Sequence, residues 1–109
     1  MAYDRDLAER IRSVVASKKG FSERAMFGGL AFLLNGNMAV AASGQGGLLL
    51  RCDPEDTEAH VQEPHVDRME MRGRKMNGWL RVETDDMDDA EMARWIAVGV
   101  TYAGSLPPK

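Results

Sequence analysis

Cysteine occurs once in this 109-residue chain, as Cys52, so no internal disulfide framework can form and a reducing cytoplasm is the default setting. Histidine occurs only as His60 and His65. With Cys52 these are the only soft or borderline metal ligands, and their spacing fits no zinc pattern. No apolar run approaches the ~18 residues of a membrane span. The opening Met1-Ala-Tyr-Asp-Arg-Asp is too charged for a signal peptide. Charge of one sign is also lacking: the formal net charge is -3 with a pI near 5.3, which argues against a chain-wide electrostatic grip on nucleic acid.

What is present is ordinary for a folded protein. Hydrophobic residues make up 44% and charged residues 28%, which excludes disorder and collagen-like folds. The length fits a single domain spanning residues 1–109. A chain of this size buries roughly 65% of its extended surface and needs no staple. No internal repeat, linker or low-complexity segment interrupts it.

The chain opens on a helix. Tyr3, Leu7, Ile11, Val14 and Val15 recur at spacings of three and four. Asp4 and Asp6 suit the N-terminal end of the dipole, Lys18 and Lys19 the other, and Gly20 is placed as the C′ residue. From Glu23 to Cys52 the pattern turns to strands. Leu30–Leu34 and Met38–Ala42 flank Asn35-Gly36, the dipeptide of a type I′ hairpin. Gly28-Gly29 suggests a bulge or a close backbone approach. A looser glycine-rich turn at 43–47 leads into Leu48–Leu50, completing a three-stranded meander. Asp53-Pro54 reads as an N-cap with proline at N1 of a short acidic helix running to about Val61, and Glu63-Pro64-His65 breaks it. Two more strands are expected, Val66–Arg72 and Gly78–Glu83, joined by residues 73–77. A last helix starts near Asp85 or Asp86, buries Met92, Trp95, Ile96, Gly99, Tyr102 and Ala103, and ends at Gly104. The predicted order is α-β-β-β-α-β-β-α, an α+β fold of two layers with an antiparallel sheet of about five strands.

Leu30–Leu34 and Leu48–Leu50 place apolar side chains on both faces of that sheet. The second face therefore needs a cover. A homodimer interface is favoured slightly over a terminal helix that wraps round.

Little in the residues suggests catalysis. Cys52 with either histidine lacks an orienting third group. Gly44–Gly47 lacks the Gly-Lys-Ser/Thr ending of a phosphate loop, and no serine sits in a nucleophile elbow. The acids from Asp85 to Glu91 read as a helix start. One cluster is more suggestive: between 68 and 81, Arg68, Arg72, Arg74, Lys75 and Arg81 face a single acid, Glu70, with Trp79 among them. A cationic hairpin carrying an aromatic can hold phosphate and stack a base. The simpler expectation is a solvated surface whose arginines pair with the acidic helices.

Several segments in order carry a family likeness: Arg24–Phe32, Asn35–Ala39, Glu63-Pro64-His65, Met76-Asn77-Gly78-Trp79, Trp95 and the ending Ser105–Lys109. Together they resemble the TfoX N-terminal domain family, which includes the TfoX/Sxy regulators of bacterial competence for DNA uptake. The likeness covers nearly the whole chain. It implies a two-layer α+β domain likened to type III secretion chaperones, which often dimerise, with no established catalytic residues and no cofactor. It also implies a cytoplasmic, non-enzymatic regulatory domain with a protein partner, the cyclic-AMP receptor protein or a polymerase-associated factor, because full-length TfoX acts with that receptor protein. Those regulators carry a second, C-terminal helical domain, so this sequence is read as the N-terminal domain standing alone. On that reading Phe27, Met76 and Trp79 are the partner-binding anchors, since aromatics dominate interface hot spots. The alternative is a nucleic-acid-binding module using Arg68, Arg72, Arg74 and Lys75.

Overall fold

The computed structural model describes residues 3–26, 28–44, 46–85 and 87–108, with the side chain of Met71 left aside. Helix α1 spans Arg5–Val15, and the Asp4 carboxylate caps it by accepting from the Asp6 and Leu7 N–H groups. Six strands follow: β1 Phe21–Met26, β2 Gly29–Leu34, β3 Asn37–Ala42, β4 Leu48–Arg51, β5 Val66–Met71 and β6 Arg74–Val82. Between β4 and β5 lie a 3-10 turn, Pro54–Asp56, and the short helix α2, Thr57–His60. Helix α3 runs from Asp89 to Ser105.

All strands pair antiparallel in one sheet of order β1-β2-β3-β4-β6-β5. The segment carrying the 3-10 turn and α2 takes the chain to the far edge for β5, and β6 returns between β5 and β4. The α+β expectation holds, with six strands rather than five. The additional one is β1, whose Ser22, Glu23, Arg24 and Ala25 are all exposed. An edge strand without apolar alternation leaves no period to read. The connection expected at 73–77 is also shorter. Arg72 and Gly73, at φ 54° and 79°, form a two-residue turn, and residues 74–77 belong to β6.

Other local expectations hold or shift slightly. Asn35 and Gly36 both have positive φ, 52° and 84°, as a type I′ turn demands. Gly29 lies against β3: a Cβ there would stand 2.0 Å from the Ala42 carbonyl oxygen. Asp53 caps the 3-10 turn through the Glu55 N–H. Gly20 does not cap α1, which ends at Val15 with Ala16 as its cap; its carbonyl instead accepts from the Asn35 N–H at 2.9 Å. Helix α3 starts later than expected because Asp88 is the acid that caps it, accepting from the Glu91 N–H. Asp86 lies outside the described residues.

The core sits between the helices and one sheet face. Leu7, Ile11 and Val15 of α1 and Met92, Trp95, Ile96 and Ala103 of α3 pack on Phe32, Leu34, Val40, Leu48, Leu50, Leu80 and Val82. Both long helices thus share that face, and the terminal helix does not wrap the other. On the second face Ala31, Leu33, Met38, Ala41, Leu49 and Met69 form a separate buried cluster, bordered by half-buried Met26 and Trp79. Register shifts at Phe32/Leu33 and Arg68/Met69 bend the strands that carry these residues.

Helix α1 is tied to β1 by Arg12, whose Nε and Nη2 donate to the Glu23 carboxylate at 2.6 and 2.9 Å. Those hydrogen bonds hold the Glu23 carboxyl below its ordinary range, against a smaller opposing effect of burial. A depressed carboxyl contributes stability above its unfolded pKa, about 4.3 for glutamate, and that contribution is lost as pH falls through the lower folded value. Glu23→Gln is therefore expected to lower the melting temperature at neutral pH and to leave it unchanged in strongly acidic buffer. Thermal melts of both proteins across the acid range check this.

Candidate functional site

Strand β6 organises the surface that the sequence singles out. Cross-strand partners share a face, so Met76, opposite Met69, and Trp79, opposite Arg51, both lie on the second face. Each is half-buried. Phe27, the third expected anchor, lies outside the described residues. Between Met76 and Leu80 the strand carries residues that β5 does not match, since Met69 pairs with Met76 while Arg68 pairs with Leu80.

This irregular stretch is pinned by Thr57. Its buried hydroxyl accepts from the Gly78 N–H at 2.7 Å and donates to the Pro54 carbonyl at 2.9 Å. Thr57→Val keeps the shape but leaves the buried Gly78 N–H without an acceptor, a cost of about 1–3 kcal/mol. Urea unfolding is expected to show that loss, and Thr57→Ser to recover most of it.

The basic cluster divides in two. Arg68 donates to Asn77 and to the Glu58 carboxylate of α2, and Lys75 pairs with Asp67 at 3.3 Å. The Asp67 carboxyl is held below its ordinary range, first by the Arg68 backbone N–H and then by Lys75. Arg72 and Arg74 flank Gly73 at the tip of the hairpin, exposed, with no ion pair among the described residues. Along β6, strand β4 reaches only Trp79–Val82, so the hairpin from Met69 to Met76 runs out as two strands without a third. Arg81, further back, meets Ser43 and Glu83.

On the helix side, a groove of about 490 Å³ separates the 3-10 turn and α2 from the C-terminal half of α3. Cys52, Asp53, Asp56, His60, Arg94 and Tyr102 are among its lining residues. Cys52 is buried, with its sulfur 3.8 Å from the Thr57 hydroxyl. Burial pushes its thiol above the ordinary range, which leaves a weak nucleophile. The His60 ring meets Trp95 edge-on at 5.4 Å. Arg94 lies 4.5 Å from the same indole and pairs with Glu63 at 2.8 Å. His65 lines a different cavity with Glu83, Asp85 and Glu91. The three soft ligands are thus not brought together, and no grouping of His, Cys, Asp and Glu among the described residues is arranged to hold a metal.

Arg51 is the residue that sequence reasoning missed. Its guanidinium lies 4.9 Å from the Trp79 ring centroid and 5.5 Å from that of Tyr102, and its Nε is buried without a hydrogen-bond partner. The only signal was a charge ending the run Leu48–Leu50. That it meets Trp79 follows from register, which pairs β4 with a strand about thirty residues later.

No helix of the described residues is long and apolar enough to cross a membrane. No curated protein and no solved structure matches the chain. A family model does: that of the TfoX N-terminal domain, over residues 13–103. The matched span takes in the whole sheet, α2, the end of α1 and most of α3, so the chain belongs to the TfoX N-terminal domain family.

Proposed function

We propose that this domain is a non-enzymatic regulator that works in the bacterial cytoplasm through protein contacts with the transcription machinery, as a homodimer. Family membership is the observation that carries the reading. The surface supports it: Met76 and Trp79 offer half-exposed apolar area on one face, and the adjoining hairpin tip presents Arg72 and Arg74. An apolar anchor beside free cations suits a partner with an acidic, partly apolar patch. Met26 and Trp79 border the second-face cluster, and that border is where a second copy would meet the first.

The partner favoured is the cyclic-AMP receptor protein or a polymerase subunit. Titration of purified receptor protein and polymerase against the domain tests the reading. Trp79→Ala and Met76→Ala are expected to weaken binding about tenfold or more, the scale of a hot-spot residue, while the melting curve keeps its cooperative shape. Equal binding by these variants would remove the site assignment.

Arg72 and Arg74, exposed at the end of a two-stranded ribbon and without an ion pair among the described residues, favour a second reading, direct contact with nucleic acid, since such a ribbon fits a major groove. That reading expects oligonucleotide affinity that falls steeply with salt. Salt-independent or absent binding would remove it.

A further inference from the structure

Strand β5 ends the sheet on one side, with β6 as its only strand neighbour. Such an edge is a template for another chain. Antiparallel pairing turns the backbone groups of alternate residues to alternate sides. The His65 carbonyl accepts from the Glu83 N–H at 2.9 Å, so the odd-numbered residues address the β6 side. The even-numbered ones, Val66, Arg68 and Glu70, address the open side. The Arg68 N–H accordingly donates to a side chain, the Asp67 carboxylate, at 2.8 Å.

Two of these outward residues carry charge that the domain leaves in part unanswered. Arg68 gives Nε to Asn77 and Nη2 to Glu58, and its Nη1 has no partner among the described residues. Glu70 is exposed. Lys75 stands opposite it in the hairpin but pairs with Asp67, and Glu70 has no ion pair among the described residues.

Two copies related by a two-fold axis can lie β5 against β5 only with one residue opposite itself. Centring on Asp67, Arg68 or Glu70 sets a like charge against that residue. Centring on Met69 sets Arg68 opposite the second copy's Glu70, and Glu70 opposite the second copy's Arg68. Opposite charges directly across a strand pair stabilise it, and like charges destabilise it. In this register Arg68 and Glu70 also exchange backbone hydrogen bonds, while the two Met69 side chains meet on the second face as a closely spaced pair. The other edge strand, β1, cannot do the same. Its Glu23 and Arg24 are adjacent and point to opposite faces, so they never meet across a two-fold axis.

We propose that a second copy of this chain pairs with β5 across its open edge, antiparallel and centred on Met69, so that one sheet runs through both copies. The inference rests on the homodimer of the regulatory reading. It assigns the contact to the Trp79 side of the second face, whose buried cluster includes Met69.

The test measures dimerisation of the native chain by analytical ultracentrifugation, and amide exchange by NMR, over a range of concentrations. The expected result is a dimer whose population rises with concentration, with the Arg68 and Glu70 amides slowing in step. Glu70→Arg and Arg68→Glu are each expected to weaken the dimer about tenfold or more. An equimolar mixture of the two variants is expected to recover native affinity, because the mixed pair again sets opposite charges together. Glu70→Pro removes an outward N–H that an edge strand can spare, and is expected to abolish the dimer while the melt stays cooperative. Should Arg68→Glu fail to fold for want of its bond to Glu58, Glu70→Pro and the native exchange rates still decide. A dimer in which both amides exchange as fast as in dilute protein would overturn the inference and leave the homodimer standing. A chain that stays monomeric at millimolar concentration would overturn both. Amides protected equally at every concentration would mean that the chain covers its own edge, which also overturns the inference.

Discussion

Gly99→Ala is expected to destabilise the domain by about 2 kcal/mol or more, even though alanine is the better helix former. A Cβ at this position of α3 would stand 2.4 Å from the Ala39 carbonyl oxygen and 2.7 Å from Val40 Cγ1. The obstacle is backbone, and β3 is held between β2 and β4, so the strand cannot give way. The helix must rise instead, and Met92, Trp95, Ile96 and Ala103 would lift with it. Overpacking of this kind costs about 3 kcal/mol, against roughly 1 kcal/mol gained from helix propensity. For a domain near this size the net loss corresponds to a fall in melting temperature of about 10 °C. A thermal melt followed by circular dichroism decides the sign. A higher melting temperature would mean that propensity outweighs the contact and that α3 does not lie so close to the sheet.

Trp95→Ala is expected to cost more, about 3–5 kcal/mol, the range for deleting a large buried aromatic. Trp95 is the largest of the fully buried side chains, at 0% exposure. It touches the ring of His60 and the guanidinium of Arg94, so its loss also loosens α2 against α3. Against a typical domain stability of about 5–15 kcal/mol, that is a large fraction of the whole. Trp95→Phe separates two contributions. It leaves a smaller void and removes Nε1, which is buried without a hydrogen-bond partner; deleting an unpaired donor returns part of the cost. Urea unfolding is expected to rank native above Phe and Phe well above Ala. If Phe and Ala lose equally, the indole is held by more than packing.

Much of the fold was legible because it rests on local signals. The 3.6-residue stripes of α1 and α3 named their buried residues, with Leu7, Ile11 and Val15 on one and Met92, Trp95 and Ile96 on the other. Asn35-Gly36 placed a hairpin, and Asp53-Pro54 placed a helical start. What escaped was β1, polar and at an edge, and the Arg72-Gly73 turn, which lengthens β6 at its start. The candidate site was legible in part. Met76 and Trp79 do share a face, and Arg72 and Arg74 meet no carboxylate among the described residues, but Arg68 and Lys75 are committed to Glu58 and Asp67.

The sequence by itself determined most of the elements, the α+β class, the Asn35-Gly36 turn and the family, because each depends on residues close together in the chain. Tertiary structure alone decided what lies across from what. It placed β6 between β4 and β5, set Trp79 and Tyr102 around Arg51, and put both long helices on one face. The reason is register: side chains alternate with a period of two, so the neighbours of a strand residue follow from pairings between distant segments. Local pattern carries no record of those pairings.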